Sequence, residues 1–187
     1  MYLIISASPN NDGLTASCAK AYLDGVVNAR GEAELIDISA EKLSPCLICG
    51  NGWGKCISEA RCVTDDILLE IQTKIRDAEA AVLITPVYWG QPSERMKYFL
   101  DRFRRCEAFN KNVSAAKDKR FDLIAAAGGS GNGTATCLAE MENWCRHVGG
   151  VPNERMCVTR FNREQMLGAI KSAGERAARR EYFKKEK

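Results

Sequence analysis

The chain has 187 residues, 45% of them hydrophobic and 27% charged, which suits one soluble domain with a sizeable core. No apolar run approaches the length of a membrane span, and the opening ten residues place no basic residue ahead of a short apolar run, so neither an anchor nor export is expected. The formal charge of +3 equals the balance of residues 174–187 alone; the neutral body argues against a nucleic-acid interface, and the tail reads as a solvated, basic helix end.

In chain order, Tyr2 to Ser6 reads as a buried strand that gives way to turn residues ending at Gly13. From Leu14, apolar residues at Cys18, Tyr22 and Val26 mark a helix that stops near Gly31, and Glu34 to Ile38 alternates like a strand. Residues 44–64 look irregular. Asp65 and Asp66 then supply capping chemistry for a helix carrying Ile67, Leu68, Ile71 and Ile75. Ala80 to Thr85 reads as a central parallel strand, and Pro92 suits the first turn of a helix bearing Met96, Phe99, Leu100 and Phe103. Phe121 to Ala127 predicts another strand. A helix with Leu138, Met141, Cys145 and Val148 inward follows, then a weaker edge strand over 154–160 and a last helix capped by Asn162. The alternation predicts one α/β domain over residues 1–187: a doubly wound, five-stranded parallel sheet with helices on both faces.

Such sheets bind ligands beyond the carboxyl ends of their strands, so the loops after strands one, three and four carry the functional expectation. In the first, the hydroxyls of Ser8, Thr15 and Ser17, with backbone N–H groups at a helix start, suit a phosphate without help from a lysine; an ordinary capped turn uses the same residue types. The loop matches neither a P-loop nor a dinucleotide fingerprint. The second, Thr85 to Ser93, sets Tyr88 and Trp89 just past a core strand, where large rings pack beside a flat heterocycle or form an interface. The third, Gly128 to Gly133, allows close backbone approach to a ligand.

Nine cysteines in a chain not expected to be exported point to reduced thiols, a metal or a cluster rather than to disulfides. Cys46, Cys49, Cys56 and Cys62 share one glycine-rich segment over residues 44–64, and three readings stay open for them: a [4Fe–4S] cluster, free thiols or a redox dithiol, and structural zinc. Cys18, Cys106, Cys137, Cys145 and Cys157 fall on expected helices or the edge strand and read as small apolar residues. The single histidine, His147, sits near a helix end and is assigned no catalytic role.

Taken together, the three loops resemble those of the flavodoxin-like NAD(P)H-dependent FMN reductases, over nearly the whole chain. Thr85-Pro86-Val87-Tyr88-Trp89-Gly90 carries that family's isoalloxazine motif intact, and Ala7 through Thr15 aligns with its phosphate loop, Ala7 replacing the usual glycine. Lys97, Phe99, Asp101 and Arg102 look like the helix that follows. The resemblance implies strand order 2-1-3-4-5. It implies that Ser8, Asn10, Gly13, Leu14 and Thr15 hold the FMN phosphate. Pro86, Val87, Tyr88, Trp89 and Gly90 would border the flavin ring, with Gly128, Gly129 and Gly131 on its far side.

The cysteine segment is similar in position to that of the iron–sulfur flavoproteins of the same family, where the first three cysteines stand two residues apart; here six residues separate Cys49 from Cys56. The resemblance further implies NAD(P)H as co-substrate, a small-molecule or protein electron acceptor, a cytoplasmic location and a homodimer or homotetramer. Trp89 and the basic run from Arg95 to Arg105 are candidates for the subunit contact or for attracting an anionic dinucleotide. Two rival readings use the same scaffold: a flavodoxin-type electron carrier without NAD(P)H turnover, and a redox- or metal-sensing protein.

Overall fold

In the computed structural model, which describes residues 1–110 and 113–181, five parallel strands form the sheet. They are β1 (Tyr2–Ser6), β2 (Ala33–Asp37), β3 (Ala80–Tyr88), β5 (Arg120–Ala127) and β6 (Val151–Thr159). A two-residue strand β4 (Gln91–Pro92) pairs antiparallel with the end of β3. The order β2-β1-β3-β5-β6 is the flavodoxin-like 2-1-3-4-5 arrangement, with β4 as an addition.

Helices cover both faces: α1 (Leu14–Asn28) and α6 (Arg163–Ala178) on one, α3 (Leu68–Asp77), α4 (Glu94–Glu107) and α5 (Thr134–His147) on the other. The central strands alternate between the two cores. Leu3, Leu83 and Leu123 face α3, α4 and α5, while Ile4, Val82 and Ile124 face α1 and α6. Burial on both sides is why β1 and β3 read as apolar runs, and β5 as well apart from Asp122, a buried carboxylate that accepts from the Tyr22 hydroxyl, the Asn153 amide and the Glu154 N–H. In the first core Trp144 packs against Phe99, Phe103 and Phe121 at centroid distances of 5.4–5.8 Å, and its indole N–H donates to the Leu100 carbonyl at 2.8 Å.

Several local expectations change. β3 runs three residues past Thr85, because Val87 and Tyr88 pair with Pro92 and Gln91. Pro92 therefore belongs to a strand, and Ser93 caps α4, its hydroxyl accepting from the Met96 N–H. Asn162 stands at the start of α6 but turns its side chain back, accepting from the Thr159 N–H and donating to the Cys157 carbonyl. A short helix α2 (Lys55–Ser58) interrupts the irregular cysteine segment. Helix α6 ends at Ala178, and residues 182–187 of the basic tail lie outside the described residues. Among the described residues, no helix is long and apolar enough to cross a membrane.

Candidate functional site

The carboxyl ends of β1, β3 and β5 lie side by side, so all three candidate loops leave one edge of the sheet. The second loop is shorter than its sequence suggests. Strands β3 and β4 form a hairpin whose two-residue tip is Trp89-Gly90, both with positive φ, 52° and 77°. That is the backbone of a type I′ turn, in which a tryptophan is an unusual occupant. The hairpin base is tied down where Thr85 Oγ1 accepts from the Ser93 N–H at 3.0 Å. At the tip Trp89 is fully exposed and Tyr88 half exposed. A left-handed conformation at a bulky residue costs of order 1–3 kcal/mol, a kind of strain that clusters at functional sites.

A cavity of about 500 Å³ lies between this tip and the glycine loop, lined by Val87, Trp89, Gly90 and residues 127–133. The size is that of a small-molecule site. Thr136 holds its two walls together, being within 2.9 Å of both the Gly90 and the Gly133 carbonyl. Gly128 and Gly129 have no protein atom within 4 Å of the place where a Cβ would stand, so their bare backbone faces open space that a planar ligand can use. Of the residues expected here, Val87, Trp89, Gly90, Gly128, Gly129 and Gly131 line the cavity, and Tyr88 faces a second, open pocket on the other side of the hairpin with Lys97 and Tyr98. Pro86 lies within β3, paired with Ala126.

The first loop leads from β1 into α1, whose N-cap is Gly13. No side chain caps this helix and its first turn holds no acid, so its N–H groups and positive dipole end suit an anion. Ser8 is buried and its hydroxyl donates to the Asn10 carbonyl at 2.6 Å, which fixes the turn. Thr15 is buried and Leu14 partly so, while Asn10 is exposed. A cation absent from the sequence reading arrives from far along the chain: Arg163, at the start of α6, donates to Ser17 Oγ at 2.9 Å, and Ser17 in turn donates to the Gly13 carbonyl. Only the packing of α1 against α6 brings it there.

The four clustered cysteines come together. Cys46, Cys49, Cys56 and Cys62 line a single cavity of about 20 Å³, room for one water, together with Lys55, Arg102 and Arg105. Cys106, expected only to pack, forms part of the same wall from α4, one turn beyond Arg102. Among the described residues, no group of three or more His, Cys, Asp or Glu side chains already stands in a metal-coordinating arrangement. The donor set, four thiols beside three cations, suits a thiolate-held group, while the space between them in this arrangement holds about one water.

Three arginines of α4 bind this segment. Arg95 donates to the Leu43 carbonyl, Arg102 to the Ser44 carbonyl and Arg105 to the Gly52 carbonyl, and Arg105 also stacks over the Trp53 ring at 4.4 Å. Much of the basic run of α4 is thus engaged inside the chain. Asp66 is a partner of Arg102 before it is a helix cap: its oxygens accept from Nη1 at 2.6 Å and Nη2 at 3.1 Å, and from the Ser44 and Leu68 N–H groups. Burial works against the Asp66 charge, but Arg102 and those N–H groups outweigh it and hold the carboxyl below its usual range.

The thiols divide electrostatically. Burial also opposes the Cys62 thiolate, yet the Thr64 backbone N–H and the Arg102 guanidinium beside it bring this thiol below its ordinary range. Burial pushes Cys106 up to about 12, helped by the neighbouring Cys62 and Cys56. Burial also carries Cys18, Cys137 and Cys145 up to about 12, as fits thiols that only pack.

The fold and the strand-end loops define a flavodoxin-like α/β protein with an open cavity beyond the carboxyl ends of β3 and β5. The model of the family described as NADPH-dependent FMN reductase matches residues 2–160, and the chain belongs to that family of flavin-dependent oxidoreductases, close to its iron–sulfur flavoproteins. An iron–sulfur flavoprotein of Methanocaldococcus jannaschii is 32% identical over 100 residues, 54% of this chain and 50% of that protein. Another, from Methanosarcina thermophila, is 28% identical over 148 residues, 79% of this chain and 73% of its own length. The chain spans about half the length, or less, of the first curated relatives it matches. An NAD(P)H:quinone oxidoreductase from Methanothermobacter marburgensis shares the fold, with a TM-score of 0.70 at 20% identity over 94% of each chain.

Proposed function

We propose that this protein is an FMN-dependent NAD(P)H oxidoreductase that delivers electrons to a small-molecule or protein acceptor, with Cys46, Cys49, Cys56 and Cys62 as ligands of a [4Fe–4S] cluster. The observation that carries the flavin reading is the cavity of about 500 Å³ whose glycine wall keeps two backbone positions clear of the protein's own atoms. Bound FMN supplies hydride acceptance and electron donation, chemistry that asks little of side chains. The chain's residues bind and orient. The α1 start, with Ser8, Asn10, Gly13, Leu14 and Thr15, takes the phosphate. Val87, Trp89 and Gly90 border one side of the ring, with Pro86 behind them in β3, and Gly128, Gly129 and Gly131 border the other.

Trp89 keeps water from the ring edge and, in a homodimer or homotetramer, Trp89 and Tyr88 are covered by a second subunit. The cluster reading is supported by the convergence of the four thiols on one cavity ringed by cations, and a cluster there would add one-electron storage. We place the protein in the cytoplasm, where such thiols stay reduced.

Anaerobically purified protein is expected to show flavin absorbance and about four irons per chain with matching sulfide. Steady-state oxidation of NADH or NADPH by the FMN-loaded protein is expected with quinone or dye acceptors. Binding of FMN without turnover of either nucleotide would leave an electron carrier, and failure to bind FMN would sink the flavin reading altogether.

A further inference from the structure

Arg102 is 1% exposed, and its guanidinium is only partly satisfied. Nη1 and Nη2 are held by Asp66 and the Ser44 carbonyl, but the buried Nε has no well-formed hydrogen bond among the described residues, although the Cys62 thiol stands beside the guanidinium. Buried donors without partners are rare and call for an explanation. Asp66 cannot supply one, because both its oxygens are already taken by the two Nη groups and by the Ser44 and Leu68 N–H groups. The Arg102 side chain forms part of the wall of the cysteine cavity. Lys55 and Arg105 stand around the same cavity, and no carboxylate is among the residues lining it. Arg102 is matched by Asp66 and Lys55 by Glu59 at 3.3 Å, but both carboxylates stand outside the lining, so the wall itself presents cations and thiols, which suits an occupant that is anionic and rich in sulfur.

We propose that Arg102 is a positioning and charge-compensating residue for the thiolate-held group of the cysteine pocket, its Nε–H donating to one of that group's sulfurs. The proposal rests on the cluster reading above and deepens it. Hydrogen bonds to cluster sulfurs and nearby charge set the reduction potential. A donor and a cation favour the reduced, more negative state, so Arg102 raises the potential; Asp66, an anion directly behind the guanidinium, moderates the rise. The fork is aimed by Asp66 and the Ser44 carbonyl, which leave Nε pointing where neither can reach. Arg105, bound to the Gly52 carbonyl, keeps the middle of the loop over the same helix.

The test compares the wild type with Arg102→Lys and Asp66→Asn after anaerobic reconstitution with ferrous iron and sulfide, reading iron content and the midpoint potential by mediated titration with EPR detection. Arg102→Lys keeps the cation and deletes Nε–H. Its midpoint is expected to fall by at least about 59 mV, a tenfold change in the ratio of reduced to oxidised cluster for one electron. Asp66→Asn removes the anion and is expected to move the midpoint the other way. A purely structural ion pair would lower iron content in both variants without opposite shifts. Wild-type protein that takes up no iron and sulfide overturns the cluster reading and this assignment with it. A loaded wild type whose variants keep its midpoint, or shift with the same sign, overturns the Arg102 assignment alone. If Arg102→Lys does not fold, an unshifted midpoint in Asp66→Asn has the same force.

Discussion

Gly90 and Gly133 touch backbone to backbone, one from the hairpin tip and one from the glycine loop. A Cβ on Gly133 would stand 2.6 Å from the Gly90 Cα, and the φ of Gly133 is +81°. Gly133→Ala therefore meets both a clash and a left-handed penalty of roughly 1–2 kcal/mol. A loss of about 2–3 kcal/mol is expected, or roughly 4–12 °C in Tm for a chain of this size. Gly129→Ala meets no protein atom within 4 Å, so the flavin-free protein should melt unchanged while FMN binding weakens about tenfold. Melting curves and fluorescence titrations of the two variants separate a packing glycine from a ligand-facing one. Equal FMN affinity in Gly129→Ala and wild type would move the ring elsewhere.

Arg163 makes the loop between β1 and α1 cationic from the other end of the chain, and with it the proposed phosphate site. Removing it as Arg163→Ala should weaken FMN about tenfold, close to 1.4 kcal/mol, and flatten the salt dependence of binding. Riboflavin, which lacks the phosphate, should bind both proteins alike. Equal losses for the two ligands would show that Arg163 acts on the fold of the loop instead.

Trp89 combines full exposure with a φ of 52°. Within one chain its side chain contributes little packing, so Trp89→Asn, a residue that suits a type I′ turn, should stabilise the monomer by about 1 kcal/mol. Urea melts at low protein concentration measure this. A loss that grows with concentration would mean that a second subunit covers the ring.

The Asp66–Arg102 pair is expected to shape acid stability. Because the folded carboxyl titrates below its usual range, its contribution is complete above the unfolded value of about 3.9 and is lost as pH falls through the lower folded value. Asp66→Asn should be less stable than wild type by about 3 kcal/mol at pH 7, the scale of a broken buried pair. The gap should hold through neutral pH and narrow below about pH 4. A gap that does not change in acid would mean that the loss comes from packing alone.

Much of the architecture can be read from local pattern. Leu3 to Ile5, Ala81 to Ile84 and Phe121 to Ala126 announce covered parallel strands, and the resulting order fixes the edge where the loops gather. The turn at Trp89 cannot be read this way, since tryptophan has no preference for positive φ and only its pairing with β4 imposes it. Asp66 looks like a helix cap, and it does accept from the Leu68 N–H at 3.3 Å, but the same carboxylate also holds Arg102, 36 residues away, which no local pattern discloses. Arg102 looks like part of an exposed basic face, since a helix pattern does not disclose which arginine is buried. Arg163 and Ser17 meet across 146 residues, a contact that no local spacing encodes.

Helix α4 connects the hairpin to the cysteine pocket. Ser93 locks its first turn to the hairpin base through Thr85, and Arg102 reaches the cysteine pocket from about 14 Å further along the axis. The helix thus works as a ruler: the span between the two sites is set by a rigid rod, whereas the loop between Cys49 and Cys56 forms only the rim of one of them. Length can therefore be added to that rim, as in the six residues between Cys49 and Cys56, without changing the span.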